Sequence, residues 1–211
     1  MTRKKKLQKA ESSYHHGDLS TALINAGLSL LKEKGVEGVS LRAVATLAGV
    51  SHSAPYRHYK NKTALLAAIA LRGFDQLCEA VQQVMREWPN DPKKQLIESG
   101  KSYVRLAVAN PEMAQLMFGG LLKPEDLDEE YCKHSQQAFQ ALLQVLQNGE
   151  DKNLYKPVSN MQRALATWSM VHGLAMLASA GQLGPNVEDE EHLLQLTEYV
   201  ATVILDGILE N

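Results

Sequence analysis

Residues 40–62 read SLRAVATLAGVSHSAPYRHYKNK. Leu41, Val44, Ala45 and Ala48 recur at three- and four-residue spacing, which lines them up on one side of a helix. Ser40 stands directly before this run as an N-cap, and Gly49 directly after it, where a helix stops and the chain reverses. Val50 follows as a plug for a small core. A second helix is expected over His52 to Tyr59, with Ser51 and Ser53 as alternative caps. Pro55 bears on that choice: behind Ser51 it falls where the first intrahelical bond should form, behind Ser53 it lies harmlessly in the first turn. Two short helices around a Gly turn form a helix-turn-helix, whose second helix enters the major groove of DNA.

The side chains of this stretch are those that bond to DNA. His52 and Ser53, with Ser51 beside them, occupy the front of the second helix, the part that meets base edges. Tyr56 and His58 suit phosphate contacts, Arg57 suits a guanine edge or the backbone, and Lys60 stands at the same end. Tyr59 is read instead as the apolar anchor of that helix. Arg42, in the first turn of the preceding helix, can reach the DNA backbone, although a surface arginine there needs no partner. Lys62 is the most pointed residue, because the helix macrodipole opposes a cation in a first turn. A DNA phosphate at that helix end would justify it; a solvated surface lysine is the bland alternative.

Charge is distributed accordingly. The 211-residue chain has a formal net charge of −2, but residues 1–62 hold eleven Lys and Arg against four Asp and Glu, net +7, and the remainder eleven against twenty, net −9. Arg3, Lys4, Lys5, Lys6 and Lys9 supply five of the basic charges, so the asymmetry carries weight only together with the motif. Residues 1–17 are polar, charged and aperiodic, and read as a flexible basic arm. The 45% hydrophobic content is enough for a proper core.

The whole chain reads as all-α. Leu19, Ala22, Leu23, Ala26 and Leu30 share one face of a first helix that starts at Asp18 and stops at Lys34-Gly35. The helix-turn-helix domain therefore spans residues 18–62. From residue 63 to 211 a helical domain follows: a linking helix from Lys62 to about Met85, then helices from Asp91-Pro92 to Ala109, Met113 to Phe118, Asp126 to Gln147, Ser159 to Ala180 and Glu188 to Leu209. The connections run Asn148 to Pro157 and Gly181 to Pro185.

The residues that carry the motif also resemble a known family. Gly49-Val50-Ser51 followed by Tyr56, His58, Tyr59 and Lys62 is similar to the pattern of the TetR/AcrR-family transcriptional regulators, over Asp18 to about Phe74. Ala54-Pro55 departs from it, since many members carry Gly or Thr and then Leu there. Trp168, His172 and Gly173 resemble the WxxxHG signature of the WHG-domain branch, as do Asn110-Pro111 and Leu116 to Gly119. The resemblance implies a homodimer formed by the last two helices as a four-helix bundle, and middle helices that enclose a ligand cavity. The sequence agrees in part: Leu165, Trp168, Val171, His172, Ala175 and Ala178 repeat at helical spacing, with Gly173 and Ala180 small enough for a helix to approach closely. Leu193, Leu196, Val200, Val203 and Leu209 form a matching stripe.

Tyr103, Met113, Met117, Phe118, Trp168, His172 and Met176 have the composition of an apolar pocket with a few polar handles, although each alone is more often a core residue. The expected function is that of a repressor that binds double-stranded DNA at a palindromic operator and releases it when a small apolar effector enters the cavity. The alternative is a DNA-binding protein of this fold without a ligand, acting in chromosome organisation or division. An enzyme is not expected. Gly100-Lys101-Ser102 resembles the end of a P-loop, but position 95 is Gln and no strand precedes it. His15-His16 and Cys132 with His134 are too sparse for a metal site, so no catalytic, cofactor or metal residue is assigned. Cys78 and Cys132 read as free thiols, and no apolar run approaches a membrane span, which points to the cytoplasm.

Overall fold

The structure is a computed structural model that describes the backbone of residues 3–208 other than 124, 126, 157 and 185–188, and the side chains from residue 19 onward. Its described residues form eight α-helices and no strand. The first, α1 (Arg3–Gly38), is helical from Arg3, where the sequence reads as an arm: Lys, Leu, Gln, Ala and Glu favour helix there, and no Gly or Pro intervenes before Gly17. The side chains of that stretch lie outside the described residues. Gly35, at φ 66°, breaks the helix where Lys34-Gly35 predicts its end. Leu23, Ala26, Leu30 and Leu31 are buried along its inner face.

In α2 (Leu41–Leu47), Ser40 Oγ accepts from the Ala43 amide at 3.1 Å, as its position predicts. The helix ends in a Schellman motif: Gly49 at φ 67° lets Val50 N–H reach the Ala45 carbonyl at 3.0 Å and Gly49 N–H the Thr46 carbonyl at 3.2 Å. Val50 then packs against the core as a partly buried plug.

The second helix of the motif does not form as expected over His52 to Tyr59. Only Pro55–Arg57 is helical, as a single 3₁₀ turn, with turns on either side. Pro55 has no N–H to return to Ser51, and the Ser51 carbonyl instead accepts from Ala54 three residues on, at 2.9 Å. Neither Ser51 nor Ser53 caps the turn; their hydroxyls lie 3.2 Å apart and bond to each other. The far end is fixed by Tyr59, buried as the expected anchor, whose hydroxyl shares a 3.0 Å hydrogen bond with Ser20 Oγ of α1.

The linking helix α3 (Lys62–Glu87) starts where predicted, with Asn61 Oδ1 accepting from the Ala64 amide at 2.8 Å. At 26 residues it is about 39 Å long. Leu65, Leu66 and Ile69 bury against the N-terminal unit, and Phe74, Leu77 and Val81 against the rest of the chain.

Then come α4 (Pro92–Ala109), capped by Asp91, α5 (Pro111–Phe118), α6 (Glu129–Glu150), capped by Asp128, α7 (Asn160–Ser179), capped by Ser159, and α8 (Glu190–Ile208). The expected boundaries at Asp126, Pro157, Pro185, Glu188 and Leu209 lie outside the described residues. Helix α4 is the central post, packed on α3, α5, α6, α7 and α8. Lys101 of α4 pairs with both Glu98 and Glu198, which ties it to α8.

Because the Tyr59–Ser20 bond is half-buried and spans the domain, Tyr59→Phe is expected to destabilise the chain by about 1 kcal/mol in urea unfolding. Ser20→Ala should cost a similar amount, and the double variant no more than either; additive losses would mean that the two hydroxyls do not act together.

Candidate nucleic-acid interface and interior cavity

The predicted contact residues fall into two groups. Ser51, His52, Ser53, Tyr56, Arg57 and Lys60 are all exposed along one continuous loop, and Arg42 is exposed on the adjoining first turn of α2. His58 and Lys62 are half-buried. Tyr56 is 61% exposed, too much for a tyrosine that serves the core, and it leaves ring and hydroxyl free for a partner outside the chain. His52 is held by Thr46, whose hydroxyl lies 3.3 Å from Nε2 while donating to the Arg42 carbonyl at 3.0 Å. A loop stiffened by Pro55 and anchored at Tyr59 thus presents these side chains together, although it does so without a regular recognition helix.

At the end of this loop the N-terminus of α3 opens outward. Asn61 takes one of its free amides, no acidic residue stands in its first turn, and Lys62 adds a positive charge to the positive end of the helix dipole. An anion is the group this end can hold.

The other site is inside the C-terminal half. Helices α3 to α7, with Gly120, Leu122 and Leu127 between α5 and α6, line a partly open cavity of about 590 Å³. Of the residues proposed from composition, Tyr103, Met117, Phe118 and Trp168 line it. Met113 does not: it is buried in α5 against Gly73 of α3. Met176 packs on the core away from the cavity, and His172 stands behind the wall. His172 Nδ1 and the Tyr103 hydroxyl share a 2.6 Å hydrogen bond, so these two polar groups, 69 residues apart, satisfy each other. Burial raises the Tyr103 phenol well above its ordinary value, which keeps it protonated, and burial lowers the His172 imidazole.

Sequence reasoning missed much of the lining. Phe139 and Tyr131 of α6, Ser99 of α4 and Thr167 of α7 all border the cavity. One signal was available in composition: the chain has only three phenylalanines, and Phe74, Phe118 and Phe139 all line this space. Phe118 sits at the centre of the ring cluster, edge-on to Phe74 at 5.5 Å and to Trp168 at 5.7 Å.

Two family models match. Residues 23–69 match the bacterial regulatory proteins of the tetR family, and residues 96–198 the tetracyclin repressor-like C-terminal domain. The uncharacterized HTH-type transcriptional regulator YobS of Bacillus subtilis is 25% identical over 189 residues, covering 90% of this chain and 92% of its own length. The class A tetracycline repressor of Escherichia coli transposon 1721 is 48% identical, but over 48 residues only, 23% of this chain and 22% of that one. Among solved structures, a protein of unknown function from Rhodococcus sp. RHA1 superposes with a TM-score of 0.80 at 27% identity, over 93% of this chain and 98% of the other.

The depressed His172 imidazole has a consequence for stability. The unfolded chain takes up its proton at about the ordinary 6.5, the folded chain only below that, so the neutral ring's contribution is complete above 6.5 and is lost as pH falls through the folded value. Compared with His172→Gln, the native chain should therefore lose more of its urea midpoint between pH 7.5 and pH 5, values chosen to lie about one unit or more on either side of 6.5. A gap between the two proteins that stays constant with pH would contradict the burial effect.

Proposed function

Because this chain belongs to the TetR family of bacterial transcriptional regulators, we propose that it is a homodimeric repressor that holds a palindromic operator until a small apolar molecule enters its cavity. The observation that carries this reading is the double duty of α3. Its first turn holds Lys62 beside the exposed loop, and about four and five turns further on Leu77 and Val81 form part of the cavity wall. A ligand that prefers a slightly different position of that wall moves the DNA-contacting end of the same helix, and the population of the DNA-competent conformer falls.

The dimer is supported by the outer faces of the last two helices. Met161, Leu165, Met170 and Leu177 of α7 and Tyr199 and Val203 of α8 are all more than 40% exposed, an apolar surface that nothing in the chain covers among the described residues. An added Cβ at Gly173 meets nothing within 4 Å, so the missing side chain serves no packing inside the subunit and leaves room for another helix. A twofold pair of such subunits presents two loops to two half-sites, about 34–36 Å or a multiple apart, which is the geometry of a palindrome. No described helix is long and apolar enough to cross a membrane, and a regulator of DNA belongs in the cytoplasm.

Selection of bound fragments from random DNA by the purified chain should return an inverted repeat. Val203→Glu should sediment as a monomer and bind that repeat at least about tenfold more weakly; a variant that is monomeric yet binds fully would remove the dimer from the account. Lys62→Ala should weaken binding evenly across sequences and reduce the slope of affinity against salt by about one per subunit. In a reporter strain exposed to a small-molecule panel, Leu77→Ala should change release far more than the repressed level, whereas equal changes in both would argue against α3 as the lever.

A further inference from the structure

Several hydroxyls on the helices are occupied locally. Ser29, Thr46, Ser179, Thr197 and Thr202 each donate to the carbonyl four residues earlier, at 2.8–3.0 Å. Ser99 of α4 and Thr167 of α7 do not. Both residues are only 6% exposed, both line the cavity, and neither Oγ nor Oγ1 has a hydrogen-bond partner among the described residues. They stand on helices that meet closely: a Cβ at Gly100 would lie 3.7 Å from Val171 Cγ2, and Thr167 is one turn before Val171 on the same helix. Buried hydroxyls without partners are rare because desolvation without a bond is costly, and a turn about χ1 toward the cavity that both residues line would give each a polar atom to meet.

The rest of the wall restricts what that atom belongs to. No described lining residue carries a carboxylate, ammonium, guanidinium or imidazole group. On either side of Ser99 and Gly100, Glu98 and Lys101 are bound to each other at 3.1 Å, so that stretch of the wall carries no uncompensated charge. A charged ligand would lose part of its hydration and meet no counter-ion among the described lining residues. Besides aliphatic side chains and the neutral polar Ser135, Gln136 and Gln140, six aromatic residues line the cavity, with Tyr131, Phe74 and Phe118 in successive edge-to-face contacts at 5.5 Å. Such rings accept another ring among them in the same geometry.

We infer that the effector is an uncharged aromatic molecule bearing one hydroxyl or carbonyl group, which the hydroxyls of Ser99 and Thr167 turn to meet while its rings lie among Phe74, Phe118 and Trp168. This rests on the reading of the cavity as an effector site and adds its chemical class.

Three compounds of one shape test it by calorimetric titration of the full-length protein: biphenyl, para-phenylphenol and para-phenylbenzoate. The phenol is expected to bind about tenfold tighter than biphenyl, and the benzoate anion most weakly. Ser99→Ala and Thr167→Val should each weaken the phenol about fivefold and leave biphenyl unchanged, while Thr167→Ser retains the phenol. Without ligand, Ser99→Ala should melt no lower than the native chain, because it removes a hydroxyl that has no partner to lose; a clear drop would show a structural bond and overturn the inference. Tightest binding by the benzoate, or equal binding of phenol and biphenyl in all variants, overturns it too and leaves the cavity as an effector site. If none of the three binds or raises the melting temperature, the effector site itself fails and this inference with it.

Discussion

Helix α3 must be buried on both sides of its midpoint, against two different partners, and the architecture follows from that constraint. Its N-terminal half closes the small core of Leu23, Leu30, Leu41 and Val44, and its C-terminal half forms a wall of the larger core. At the changeover stands Gly73, where a Cβ would come within 2.3 Å of Met117 Sδ and 3.2 Å of Met113. The sulfur side chains of α5 therefore rest directly on the α3 backbone at its centre. Around this contact the two units are cross-linked again, by Arg72 to Asn25 and by Lys32 Nζ to the Ala109 carbonyl at 3.4 Å. Neither unit can rotate far without α3 carrying the rotation into the other, because a close-packed contact of this kind transmits displacement and does not absorb it.

Much of this architecture was legible in the order of residues. Ser40, Asp91 and Ser159 act at helix starts as their chemistry directs, and Gly35 and Gly49 end helices by taking positive φ. These signals are local, each requiring only two or three neighbours. The segment after Gly49 was less legible. Pro55 there competes with a family pattern that favours a regular helix, and its missing N–H leaves a 3₁₀ turn whose position depends on Tyr59 meeting Ser20, 39 residues away.

The two sites differ in the same way. The side chains proposed to face DNA lie within 21 residues of one another, from Arg42 to Lys62, and polarity beside a helix-turn-helix is enough to single them out. The cavity is assembled from five helices, and along any one of them an inward-facing Leu or Phe that touches empty space is spaced like one that touches another side chain. Met113 and Met117 illustrate the limit. They are one turn apart on α5, yet Met117 reaches the cavity and Met113 does not. The pairing of Tyr103 with His172 was equally out of reach, since their separation in sequence carries no period.

The loop between Gly49 and Tyr59 has its structural burden concentrated in few residues. Val50, Pro55 and Tyr59 hold its course, while Ser51, His52, Ser53, Tyr56 and Arg57 remain exposed and contribute little packing. Substitutions at these five positions are therefore nearly free of folding consequences, as surface changes usually are. On the proposed reading of this loop as the DNA-contacting surface, the preference for one DNA sequence over another can drift or be reselected there while the machinery behind it stays as it is. Duplicated copies of such a gene could acquire separate targets before any change had accumulated in their cores.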